Sequence, residues 1–159
     1  MKEDIFLKLD GIDGESADAT HKNEIEVQAW SWRMTQESSS VHSGSGSGAG
    51  KAKVEDLSFM HAIDKASPNL MKYCLTGKHI KEAKLTVRKA GGNPLEYLKI
   101  TMRDVIVTEV KPESDGEEIH ERISLAFATV KQEYAVQNAQ GGSAGAITAG
   151  FDIKGNTEL

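Results

Sequence analysis

The residues of this chain able to do chemistry are few and scattered. Its five histidines, His21, His42, His61, His79 and His120, include no pair at the helical or strand spacing that a metal site uses, and no cysteine or carboxylate cluster accompanies them. A metal site is not indicated. Cys74 stands alone, so an intrachain disulfide is impossible, and a nucleophilic role would need His61 or His79 brought beside it as a base. Nothing in the spacing demands that. The acid pairs Glu24 and Glu26, or Glu117 and Glu118, read as solvated charges rather than as a general acid and base, which need contrasting environments. A glycine-rich run ends in Gly50-Lys51, but a phosphate loop requires glycine where Ser45 stands and serine or threonine where Ala52 stands. The strand pattern that follows also lacks the helix a phosphate would cap. The expectation is no enzymatic activity and no cofactor.

Around these groups the elements are mostly strands. Ile5 to Asp10 is a short apolar run closed by the turn Gly11-Ile12-Asp13-Gly14. Glu24 to Met34 alternates, with Ile25, Val27, Ala29, Ser31 and Arg33 on one face and Trp30, Trp32 and Met34 on the other. Both faces change character halfway, as where a barrel strand meets a neighbouring layer. Trp30 and Trp32 are packing anchors, either in the core or at a subunit contact. Val54 to His61 is another strand. Ser67 as N-cap and Pro68 at the first position open one helix that ends at Gly77, with Leu70, Met71, Cys74 and Leu75 on its apolar stripe.

Ala83–Ala90 and Leu95–Val110 form a hairpin through Gly91-Gly92-Asn93-Pro94. The pattern Leu98, Ile100, Met102 switches parity near Asp104, and Ile123, Leu125, Phe127 gives way to Val130, Tyr134, Val136, which marks bends in long strands. Small Ser124, Ala126 and Ala128 suggest a wall that another element approaches. A final short strand is expected at Ala149–Ile153. The expected fold is mainly β: a small antiparallel β-barrel with one α-helix packed on its side, one domain over residues 1–159, with a long exposed loop at about 37–53 and a glycine-rich loop at about 138–147. Isolated, such a fold has edges and two-sided strands to hide, and a head-to-tail ring of copies would cover them.

Composition narrows the partners. Lys plus Arg number 19 against 24 Asp plus Glu, a net charge of -5, so nucleic acid is not an expected partner. The start, Met1-Lys2-Glu3-Asp4, has neither the basic region nor the apolar core of a signal peptide, and no stretch approaches the roughly 20 apolar residues of a spanning helix. Membrane insertion is not expected, and an exported chain would leave folded.

Gly14-Glu15-Ser16 through Thr20-His21 to Ala29-Trp30-Ser31-Trp32 is followed by Asp64 through Ser67-Pro68-Asn69-Leu70-Met71, by Gly77-Lys78-His79, and by Ala83 to Gly92. In order and spacing these segments resemble the hemolysin-coregulated protein (Hcp) family, which builds the inner tube of the bacterial type VI secretion system. The resemblance runs from near Ile5 to about residue 136. It implies a hexameric ring around an open lumen, rings stacked into a tube, and as partners a spike protein, a contractile sheath and baseplate, and effectors sheltered in the lumen. It also implies a cytoplasmic protein that is secreted on firing without a cleaved signal peptide, and a 37–53 loop that reaches the next ring. Loop position makes Ser45, Gly46, Gly91 and Asn93 the candidate ring-to-ring contacts. Ser31, opposite the tryptophans, is the candidate lumen contact. Arg33 shares its parity, would add positive charge there, and is not explained by the resemblance. The alternative is a monomeric small-ligand-binding β-barrel, which the 6% aromatic content disfavours. A sheath or spike component fits less well, because a second domain and a β-helix repeat are both missing from the pattern.

Overall fold

In a computed structural model, residues 3–38, 51–91 and 94–159 are described. Strands dominate: β1 (Glu3–Leu9), β2 (Ile25–Glu26), β3 (Ala29–Ser31), β4 (Met34–Thr35), β5 (Lys53–Val54) and β6 (Leu57–Ala62) precede the helix α1 (Ser67–Thr76). After it come β7 (Ile80–Lys89), β8 (Glu96–Ser114), β9 (Ile119–Gln137), β10 (Ser143–Asp152) and β11 (Thr157–Glu158). All described pairings are antiparallel.

β8 and β9 are the spine, paired from Leu98↔Tyr134 to Ser114↔Ile119. Met102 and Val105 are both buried while Arg103 and Asp104 between them face outward, and Asp104 takes φ 53. That single left-handed residue shifts the inward parity, so the bend expected near Asp104 is where the strand has it. β9 also changes sides between buried Phe127 and buried Val130. There it exchanges neighbours: one edge pairs β6 from Ala62↔His120 to Leu57↔Leu125, and beyond the bend pairs β10 from Asp152↔Thr129 to Ser143↔Gln137. The close approach inferred from small residues is present at Ser124, whose Oγ lies 2.9 Å from Ser58 Oγ, and at Ala128, whose carbonyl accepts from Ile153 N–H at 2.9 Å.

The sheet does not close into the barrel expected. Its nine strands follow the open path β11-β10-β9-β8-β7-β1-β2, with β3 and β6 branching from β9. The reason lies in Glu24–Met34, read above as one strand. Inward positions are Ile25 and Val27 and then, half-buried, Trp30 and Trp32. The parity slip breaks the run in two, so β2 pairs two residues with β1 while β3 pairs three with β6. Single bonds from Val27 N–H to the Ile5 carbonyl (2.9 Å) and Gln28 N–H to the Met60 carbonyl (2.8 Å) lie between. β4 and β5 form a separate two-stranded sheet, Met34↔Val54 and Thr35↔Lys53.

The helix ends at Gly77, φ 67, as its pattern implies. Its start differs from the expectation. Ala66 occupies the cap position, and Ser67 is already helical, followed by Pro68. Among the described residues no side chain caps the helix; Asp64 instead shapes the turn before it: Oδ1 accepts Ala66 N–H (2.8 Å), its carbonyl accepts Ser67 N–H (3.1 Å), and its own N–H donates to Ser67 Oγ (3.1 Å). The buried stripe is Leu70 and Tyr73, with Cys74 half-buried, whereas Met71 is 53% and Leu75 78% exposed. Leu70 and Tyr73 also stand at helical spacing, and both join the buried core, with the Tyr73 hydroxyl beside Gly11. At the C-terminus β10 begins at Ser143, earlier than the expected short strand, and Asn138 Oδ1 accepts the Gln140 and Gly142 amides in the preceding turn.

Candidate functional site

The run from Gly14 to Glu24 folds back on itself. Gly14 N–H donates to the Asn23 carbonyl (2.8 Å), Asn23 N–H to the Ser16 carbonyl (2.8 Å) and Ser16 N–H to the Glu24 carbonyl (3.0 Å). A Cβ on Gly14 would meet Glu24 O at 2.6 Å, so only glycine fits. His21, carried by this loop, is buried, stacks on Phe6 at 4.4 Å, and contacts Glu24 through Nδ1 and Glu96 through Nε2, each at 3.0 Å. Glu24 is thus a half-buried partner of His21, not the solvated charge expected. Arg88 covers Phe6, 5.1 Å from its centroid, and donates to both Asp18 oxygens (3.0 and 2.7 Å) and to Asp4 (3.1 Å). Hydrogen bonding from Arg88 holds the Asp18 carboxyl well below the usual carboxylate range. These residues build the scaffold of the loop.

Trp30, Ser31, Trp32 and Arg33 alternate as expected. Both indoles are half-buried against the core, and Trp32 donates Nε1–H to the Glu55 carbonyl (2.9 Å) and meets Phe127 edge-on at 5.9 Å. Ser31 and Arg33 are exposed on the opposite side. The Arg33 charge is not free: its Nε lies 3.2 Å from Glu55 Oε2. Gly91, at φ 127, follows β7. Ser45, Gly46, Asn93 and His42, like most of the 37–53 loop, lie outside the described residues.

The four described histidines are each set against carboxylates, which their separation in sequence conceals. His79 Nδ1 is 2.5 Å from Asp104 Oδ1 at the β8 bend, and His120 Nε2 is 3.7 Å from Glu113. His61 is fully buried, with Nε2 2.8 Å from Glu121 Oε1 and Nδ1 3.6 Å from Asp64 Oδ2. No periodicity links residues 60 apart; only the strand register that sets His61 opposite Glu121 does. Burial, more than the Glu15 and Glu121 charges, pushes the Asp64 carboxyl upward against the opposing effects of Ala66 N–H and His61.

Two apolar surfaces remain open. One is a groove of about 660 Å³ between α1 and β8, lined by Ile63, Pro68, Met71, Leu75, Val110 and Pro112, with Cys74 in its wall and Asp64 and Glu121 at one end. The other lies on β9 and β10, where Tyr134 and Ile147 are exposed register partners and Val136 is exposed nearby. Among the described residues, the outer edge of β10 pairs β11 at Phe151 and Asp152, and the Gly150 carbonyl accepts Leu159 N–H at 3.1 Å. From Ser143 to Gly150 it carries no charged side chain. Tyr97, packed on Tyr134 at 6.2 Å, donates its hydroxyl to Glu3; burial and that carboxylate push the phenol up to about 12.

Known proteins share this antiparallel sheet with a helix at its side. The family model described as "Type VI secretion system effector, Hcp" matches residues 6–134. Protein hcp1 of Pseudomonas aeruginosa is 49% identical over 162 residues, covering 99% of each chain. The crystal structure of Hcp1 from Salmonella typhimurium superposes with a TM-score of 0.83 at 56% identity over 100% of both chains. A type VI secretion system effector from Yersinia pestis gives a TM-score of 0.79 at 44% identity, covering 94% of this chain and 100% of that one. With sequence, strand path and helix position agreeing along its whole length, the chain belongs to the Hcp family of type VI secretion system proteins.

Proposed function

We propose that this chain, as one domain, is the structural subunit of a type VI inner tube. Six copies close a ring around an open lumen, and rings stack into a tube that a contractile sheath and baseplate drive outward behind a spike. Effectors travel sheltered in the lumen. The chain is made in the cytoplasm and exported folded, and its work is assembly and carriage, not catalysis.

The observation that carries this reading, beside the family, is the outer edge of β10. Its uncharged stretch from Ser143 to Ala149, unpaired along that edge among the described residues and next to exposed Tyr134 and Ile147, is a surface that soluble monomers guard with lysine, proline or a covering loop. A head-to-tail contact repeated around a ring covers it in every copy, and no copy keeps an open edge. In this arrangement Ser31 and Arg33 face the lumen, Trp30 and Trp32 stiffen the wall behind them, and Ser45, Gly46, Gly91 and Asn93 meet the adjacent ring. Arg33 contributes as an ion pair with Glu55, so acidic cargo must compete for it.

Sedimentation velocity of the purified protein, with negative-stain images of the same fraction, tests the ring. The expected species has six times the 17.2 kDa chain mass and a central hole. A compact monomer at every accessible concentration would overturn the reading.

A further inference from the structure

Three ionisable groups converge where β6, β9 and the start of α1 meet, and a purely structural subunit has no need of them there. His61 is completely buried and Glu121 nearly so. His61 Nε2 is 2.8 Å from Glu121 Oε1, while Nδ1 is buried, has no hydrogen-bond partner among the described residues and stands 3.6 Å from Asp64 Oδ2.

An ionised carboxylate can only accept, so the ring carries its proton on Nε2 toward Glu121 and presents a lone pair at Nδ1. Ionised Asp64 presents another. Two acceptors then face each other beyond hydrogen-bond reach in a buried place, an arrangement that gains from one added proton on either atom. The charges around favour uptake. Glu15 and Glu26 line the cleft beside Asp64, and Glu15 Oε2 is engaged by the backbone N–H of Lys65 at 2.7 Å. From β8 the register partner of Glu121 is Pro112, flanked by Lys111 and Glu113, which pair with each other at 3.0 Å. His120 lies toward Glu113, Arg122 toward Met60, and α1 offers the Cys74 thiol. The ring of Phe59 closes the His61 side at 5.7 Å.

We propose that His61, Asp64 and Glu121 form a proton-operated latch: uptake of one proton as pH falls draws Asp64 onto His61 Nδ1 and moves the first turn of α1 with it. The mechanical link is the turn that leads into α1. Asp64 holds Ala66 and Ser67 through three hydrogen bonds, so shortening 3.6 Å toward an ordinary length of about 2.8 Å carries Ser67 and Pro68 along and changes the wall of the apolar groove. Burial holds the Asp64 carboxyl above its ordinary value, so its proton is bound more tightly in the folded chain. That contribution is full below the ordinary carboxylate value and is lost as pH rises through the folded-state value of Asp64. This holds whichever partner fills the groove, and it does not depend on the ring.

Methyl NMR of Met71 and Ile63, with imidazole ¹⁵N shifts of His61, followed from about pH 8 to about pH 4, tests the latch. The groove methyls and the His61 ring are expected to move together at one midpoint. In Asp64→Asn the amide donates to Nδ1 at every pH, so the methyl transition is lost and Met71 stays at its low-pH position. Groove methyls that stay fixed while His61 titrates, separate midpoints, or a transition unchanged in Asp64→Asn would each overturn the latch. Should Asp64→Asn not fold, the wild-type co-titration decides alone.

Discussion

Phe6 lies between the stacked imidazole of His21 and the guanidinium of Arg88, and the ion pairs of Arg88 with Asp18 and Asp4 tie that sandwich to the Gly14–Glu24 loop. Asp18 has a folded-state value held below its unfolded one, so its contribution is present above the ordinary carboxylate value of about 3.9 and is lost as pH falls further toward the folded-state value. Asp18→Asn should lower the melting temperature at neutral pH, and the deficit should shrink steadily in acid; thermal unfolding across pH checks it, and a constant deficit would deny the ion pair its role. None of this was visible in composition. Arg88 and Asp18 are 70 residues apart, and His61 and Glu121 are 60 apart, so their meeting depends on sheet register and not on local pattern.

At the scale of elements, two glycines separate two kinds of constraint. Gly14→Ala puts a methyl 2.6 Å from Glu24 O, a clash with backbone that should cost about 1–3 kcal/mol. Gly77→Ala meets no atom within 4 Å and pays only for its left-handed conformation, about 1–2 kcal/mol. Denaturant titration should show both losses, and amide spectra should show the 14–24 loop disturbed by the first substitution alone. The bends at Asp104 and after Phe127, and the end of α1 at Gly77, were legible in the sequence because each is a local parity or turn signal, whereas the start of α1 was read one residue late. Which helix face is buried was not legible, since Met71 and Leu75 also stand at helical spacing, like Leu70 and Tyr73, and only packing against the core decides between them. The division of Glu24–Met34 was half legible: the change of face could be read, but not that it hands the chain from β1 to β6 and leaves the sheet path open.

For the whole molecule, the consequence of the uncharged β10 edge is that assembly should be separable from folding. Ile147 is 68% exposed, and a lysine there would place on this edge the guard that monomeric sheets use. Ile147→Lys should leave the monomer stable to within about 0.5 kcal/mol while abolishing rings in sedimentation velocity. Rings of unchanged size in that variant would assign the contact to another face, with the α1 groove next in line.

The small β4–β5 sheet fastens Thr35 against Lys53 apart from the main sheet, so whatever lies between them begins and ends at the same anchored place. Closing a longer insert there costs only about 0.6 kcal/mol per doubling of its length. Lengthening the segment between those anchors is therefore expected to leave their pairing in place.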